Sequence, residues 1–138
     1  MLRVLRIVSL WLAVATSWSP AARAFGPSGH RVAGHVAAQH LCTETREALV
    51  PLLAGMTLAD AGLWPDTIRR QPGWEQTRPW HFINVADRGS VARAARKDAD
   101  NVLAALARFE QELGDETLTN RQRGIALRFV VHFVADLH

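Results

Sequence analysis

Apolar residues recur at helical spacing along most of the chain, and turn-forming residues separate the runs. Val32, Ala33, Val36, Ala37 and Leu41 share one face of a helix expected from His30 to Leu41, with Ser28 as its N-cap. A second helix is expected from Glu44 to Leu53, capped by Thr43, with Pro51 kinking or ending it and Gly55 as a stop. Thr57 to Arg70 gives a third, interrupted at Trp64-Pro65. Gln71 to Pro79 contains Pro72-Gly73 and reads as a loop. Trp80 to Val85 is aromatic and β-branched, so a short extended piece is expected there, too brief to define a sheet. Ala95, Ala99, Val102, Leu103, Leu106, Phe109 and Leu113 line one face of an amphipathic helix from Ala92 to Leu113, ended by Gly114.

The last element, Thr119 to His138, differs in kind. From Ile125 onward it is apolar almost all round, the pattern of a central buried helix. The predicted fold is therefore all-α. The sequence stops inside that hydrophobic helix with no Gly or Pro before the stop, so a truncated piece of a longer protein is expected.

Composition changes this picture at one end. Arg3 and Arg6, the apolar run Ile7 to Ala15 and the small residues of Ala22-Arg23-Ala24 make residues 1–24 a secretory signal peptide, cleaved after Ala24. The apolar run is too short to cross a bilayer core, which needs about 20 residues. No stable membrane association is expected after cleavage, and the expected location is the periplasm or the exterior. The formal charge of +3 looks basic, but the signal segment holds three arginines and no acid. The remainder has 13 bases against 13 acids. A general attraction to nucleic acid through net charge is excluded, and any partner must be found by a local site. The single cysteine, Cys42, excludes an internal disulfide framework.

The candidate chemistry lies in polar residues set among apolar ones. His132 and Asp136 interrupt the buried helix at i, i+4 spacing, so both side chains share a face. A buried carboxylate is costly unless paired or bound to metal. An internal His–Asp hydrogen bond and a pair of metal ligands both satisfy that requirement. His81 lies in Trp80-His81-Phe82-Ile83-Asn84, Asp66 follows Trp64-Pro65, and His30 follows Gly29. Singly, each has an ordinary structural reading: His30 exposed in a first turn, Asp66 at a helix start. Together they place four to five His and Asp residues in apolar or turn contexts on different elements.

Four segments then carry a specific resemblance. Phe25-Gly26-Pro27-Ser28-Gly29-His30, Leu63-Trp64-Pro65-Asp66-Thr67-Ile68-Arg69, Trp80-His81-Phe82-Ile83-Asn84 and the run from Ala126 to His138 occur in the order expected of the S1/P1 nuclease family. These are zinc-dependent, single-strand-specific nucleases and 3′-nucleotidases, related in fold to zinc phospholipase C. The resemblance covers residues 25–138, about the N-terminal half of a typical member. It implies a mostly helical phospholipase C/P1 nuclease-like fold with three zinc ions per complete domain. It implies that Asp66, His81, His132 and Asp136 bind one zinc and that Asp136 bridges to a second. His30 and the backbone amine and carbonyl of Phe25 would hold that second ion, where the family usually has Trp. At most two sites are represented, because His138 occupies a non-ligand position of the pattern that supplies the third. His35 and His40 match no ligand position and are expected on the helix surface.

By the same resemblance, Asp66 also orients the attacking water and Arg69 contacts the scissile phosphate. Phe82 stacks on a nucleobase and Asn84 reads base edges. Taken as residues alone, Arg69 reads equally as a solvated charge beside Arg70, and Phe82 as a core residue. The implied activity is hydrolysis of single-stranded RNA, DNA and 3′-nucleotides to 5′-nucleotides by a monomer, with this chain an inactive fragment. A zinc phospholipase C and a non-catalytic helical fragment are the alternatives.

Overall fold

The computed structural model describes residues 26–138, so the expected signal peptide, residues 1–24, and Phe25 lie outside the described residues. Six α-helices and one 3-10 helix make up the described chain: α1 (Pro27–His40), α2 (Thr43–Leu53), α3 (Leu58–Ile68), η1 (Glu75–His81), α4 (Val91–Lys97), α5 (Val102–Gly114) and α6 (Asn120–Asp136). Among the described residues there is no strand, and the all-α expectation holds.

Helix α6 is the hub, with α1, α2, α3 and α5 packed around it. Its start is fixed by a capping box: Thr119 accepts from the backbone of Gln122, and the Gln122 side chain accepts from the Thr119 N–H. Its Ala126, Phe129 and Phe133 are fully buried. Phe109 of α5 stacks on Phe129 at 4.4 Å, and Trp64, Trp74 and Trp80 meet the Phe129 ring at tilted or edge-on angles. This aromatic layer lies beside the helix positions that carry His132 and Asp136. A second cluster, Leu52, Leu58 and Leu127, closes the α2 side.

Two glycines set how closely the helices approach. A methyl group at Gly34 would lie 2.6 Å from the Leu58 carbonyl oxygen, and one at Gly124 would lie 2.4 Å from the Leu52 carbonyl oxygen. Real side chains cannot sit so near backbone, so glycine is what lets α1 meet α3 and α2 meet α6.

Several boundaries differ from expectation. Helix α1 begins at Pro27 with Gly26 as N-cap, because Pro at the first helical position needs no N–H acceptor; Ser28 is inside the helix. Cys42, not Thr43, caps α2, and Pro51 sits in its last turn without ending it before Leu53. The segment expected to be extended from Trp80 starts inside η1, and only from Phe82 is the backbone extended. The expected helix Ala92–Leu113 is two helices. The first ends at Lys97, and buried Asn101 starts the second, since its side-chain oxygen accepts from the Leu103 and Ala104 N–H groups and caps α5 afresh. The indole N–H of Trp80 donates to Asp100 at the same break.

Residues 43–68 together are long and apolar enough to cross a membrane. The backbone nevertheless turns at Ala54-Gly55, both with positive φ, which leaves two helices of 11 residues. Each is about 16 Å long, roughly half of a hydrocarbon core.

Candidate metal centre

Four elements deliver five side chains to one point. His30 comes from the first turn of α1, Asp66 from the end of α3, His81 from the last position of η1, and His132 and Asp136 from adjacent turns of α6. His30 and His132 are buried and stack ring on ring at 4.0 Å. The side chains of His81 and Asp136 are 5% and 6% exposed, so this is an interior cluster with one open side, at Asp66.

The donor atoms fall into two sets. Around His132 Nε2, the Asp136 Oδ2 lies at 3.0 Å and His81 Nδ1 at 2.8 Å. His81 Nδ1 is 3.3 Å from the same Asp136 oxygen, and Asp66 Oδ1 is 3.9 Å from both ring nitrogens. Four ligands at zinc–nitrogen and zinc–oxygen lengths of about 2.0–2.1 Å in a tetrahedron stand about 3.3 Å from one another. The five spacings bracket that value. The second set uses the other oxygen of each carboxylate: His30 Nε2 is 3.4 Å from Asp136 Oδ1 and 3.8 Å from Asp66 Oδ2. Both Asp136 and Asp66 thus divide their oxygens between the two sets.

The proton inventory distinguishes this cluster from a hydrogen-bonded His–Asp pair. His132 Nδ1–H donates to the Gly62 carbonyl at 2.7 Å, so in the neutral imidazole Nε2 is a lone pair facing the other donors. Three imidazole nitrogens and two carboxylates then converge with more acceptors than protons, the situation a cation resolves. His30, Asp66 and His132, and His81, His132 and Asp136, each form a group able to hold a metal ion. Burial pushes the Asp136 carboxyl up, but hydrogen bonds from His132, His30 and His81 and the charge of His132 outweigh it. The net result is a carboxyl far below the ordinary range, ionised at neutral pH and available as a ligand.

A cleft of about 630 Å³ opens from the cluster. Asp66, His81 and Asp136 form its floor, and Arg69, Arg70 and Phe82 form its walls. Arg69 Nη2 is 3.2 Å from Asp66 Oδ1, which ties the guanidinium to the floor. Phe82 is 51% exposed, so its ring is a wall of the cleft and not a core residue. The Phe82 carbonyl accepts from the Val102 N–H at 3.1 Å, so the α5 start holds this ring in place. Asn84 is not brought to the cleft: it lines a separate depression with Arg88, Arg93 and Lys97. His35 and His40 are exposed on α1. Gly26, the neighbour of Phe25, lines the metal cleft.

Two contributors were not legible beforehand. The Gly62 carbonyl orients His132 from 70 residues away in sequence, and nothing in an apolar helix containing one Gly marks a second-sphere acceptor. Asn101 caps α5, whose Val102 N–H bonds the Phe82 carbonyl, and the apolar spacing runs through that start without a mark.

Comparison with known proteins gives the same residues a context. The S1/P1 Nuclease family model matches residues 25–138. Nuclease P1 of Penicillium citrinum is 25% identical over 121 residues, which cover 82% of this chain and 45% of that protein. Nuclease S1 of Aspergillus oryzae is 26% identical over 127 residues, 83% of this chain and 42% of its own length. Endonuclease 4 of Arabidopsis thaliana is 27% identical over 129 residues, 83% of this chain and 43% of its own. The chain spans a little under half the length of these relatives.

Proposed function

Because the chain belongs to the S1/P1 nuclease family, we propose that its five-residue cluster is the zinc centre of an exported, monomeric phosphodiesterase acting on single-stranded nucleic acid and 3′-nucleotides. The observation that carries the reading is the spacing of Asp66, His81, His132 and Asp136 at the floor of a cleft whose walls hold Arg69 and Phe82. Asp66, His81, His132 and Asp136 would hold one zinc. His30, the second oxygens of the carboxylates and the Phe25 amine and carbonyl would hold another. Gly26, the first described residue, lines the cleft. Signal cleavage after Ala24 is then part of site assembly, since only a free Phe25 amine has a lone pair to offer.

Zinc, when bound, supplies charge that acidifies water and offsets developing negative charge on a phosphoryl group. The chain's own groups do the positioning. The Gly62 carbonyl keeps His132 in the tautomer that presents Nε2 to the site. Asp66, at the open side, is placed to accept a hydrogen bond from the attacking water. Arg69 offers N–H donors to a phosphate oxygen in the cleft. Phe82 offers a face on which an unpaired base stacks, which favours single strands because a duplex hides that face. Asn84, outside the cleft lining, is given no part in it. With ligands for two of the family's three zinc ions among these residues, the chain is proposed to bind nucleotide and turn it over poorly.

A phospholipase C on the same scaffold would need an acidic or aromatic pocket for a cationic headgroup; the two arginines in the walls repel such a cation. The test is metal analysis joined to substrate assays. Two zinc ions per chain, with 3′-nucleotide or single-stranded DNA binding that depends on zinc, are expected. Zinc content below two with no nucleotide binding would support the non-catalytic reading, and cleavage of phosphatidylcholine without nucleotide binding the phospholipase.

A further inference from the structure

A second cavity, about 440 Å³, adjoins the metal cleft and is lined by Arg69, Arg70, Arg78 and Phe82. It shares Arg69, Arg70 and Phe82 with the cleft, so the two are continuous around the exposed Phe82 ring. No carboxylate is in its lining. That is unusual in a region where bases and acids balance. Of the three arginines, only Arg69 is spent on an ion pair, with Asp66 at 3.2 Å. Among the described residues, Arg70 and Arg78 lie within 4.0 Å of no acid.

The arginines are not free to spread apart. Arg78 Nε–H donates to the Arg69 carbonyl at 3.4 Å, which ties η1 to the end of α3 through a bond that does not use the terminal nitrogens of Arg78. Cations at a helix C-terminus are favourable in themselves. That accounts for one of them near Arg69, but not for two unpaired guanidiniums around a cavity with a half-exposed aromatic ring. Guanidinium forks match phosphate oxygens in pairs, and an aromatic face accepts a base. A phosphate next to a base is the repeating unit of a nucleic-acid strand.

We propose that Arg70 and Arg78, which line the cavity that continues from the metal cleft around Phe82, form a subsite for the phosphodiester flanking the one at the metal centre. The protein then selects polynucleotide over mononucleotide by holding a second phosphate. This inference rests on the nucleotide reading of the metal cleft. It assigns to two residues outside the metal centre a role in choosing substrate length.

The experiment compares two probes on the zinc-loaded chain: a hydrolysis-resistant phosphorothioate single-stranded oligonucleotide of about ten residues, and a 3′-mononucleotide. Affinities are read by fluorescence anisotropy and calorimetry across a series of salt concentrations. R70Q/R78Q is expected to weaken the oligonucleotide at least tenfold relative to the mononucleotide. The slope of log affinity against log salt should shrink by about 0.7, the value for one fewer phosphate neutralised on a single strand. R70K/R78K should restore the slope more than the affinity, because lysine keeps the charge without the fork. A wild-type chain that binds both probes equally would overturn the subsite. So would an R70Q/R78Q variant that weakens both in proportion or neither, and these results leave the metal-centre reading standing. A wild-type chain that binds neither probe overturns both.

Discussion

Zinc in the five-residue cluster would tie α1, α3, η1 and α6 together, so its removal should loosen the whole fold. The perturbation is chelation, with His132→Ala as the matched variant. His132 is 0% exposed, donates to Gly62 and stands 2.8–3.0 Å from two other donors, so its loss dismantles the first ligand set. Free zinc at a hundredfold excess over its dissociation constant stabilises a folded state by about 2.7 kcal/mol. For a unit of this size, each kcal/mol moves the melting temperature by about 4 °C, so the wild type should melt about 10 °C higher in zinc than in chelator. The figure counts one site; a second zinc adds to it, and zinc held by histidines of the unfolded chain subtracts from it. His132→Ala should melt lower than the wild type in chelator, because it leaves a cavity and an unpartnered Gly62 carbonyl. What matters is the difference of differences: the zinc increment should fall in the variant by the share of the first ligand set. Circular dichroism melts of both proteins, with and without zinc, read it directly. An increment of equal size in the variant would refute the assignment of His132 as a ligand, and no increment in the wild type would refute the metal centre itself.

Two further outcomes test packing and electrostatics. Gly124→Ala should cost about 1–3 kcal/mol in urea unfolding, because the added methyl meets the Leu52 carbonyl at 2.4 Å and α2 and α6 must part; a gain from helix propensity instead would contradict the close approach. In chelator, the depressed Asp136 carboxyl contributes stability that is present above the ordinary aspartate range, near pH 4, and is lost as pH falls through its folded value. The stability gap between wild type and Asp136→Asn should therefore narrow as pH is lowered from 5 toward 2, and a gap that widens over that range would show the opposite sign.

The helical pattern was legible because each long element has one partner face, and apolar spacing records that face directly. The chain also announced His132 and Asp136, since two polar residues a turn apart in an apolar helix need a reason. The breaks were another matter. Apolar spacing runs unbroken through Ala95, Ala99 and Val102, yet the helix ends at Lys97 and restarts at Val102, where the buried Asn101 amide caps α5 and Trp80 reaches Asp100. His81 could be picked out in Trp80-His81-Phe82, but the 3-10 turn that points its Nδ1 at Asp136 depends on Trp80 packing against Phe109 and Phe129.

By itself, the sequence determined the all-α class, the split between a positively charged stretch over residues 1–24 and a neutral remainder, and the residue types able to bind a metal. These are local or additive properties, readable from spacing and counts. Only the tertiary structure decided that five side chains from four elements meet within a few ångströms, that the oxygens of both Asp66 and Asp136 face two ways, and that Phe82 is a cleft wall while Asn84 is not. Those outcomes depend on contacts between residues as much as 106 positions apart, from His30 to Asp136, and packing around α6 is what brings them together.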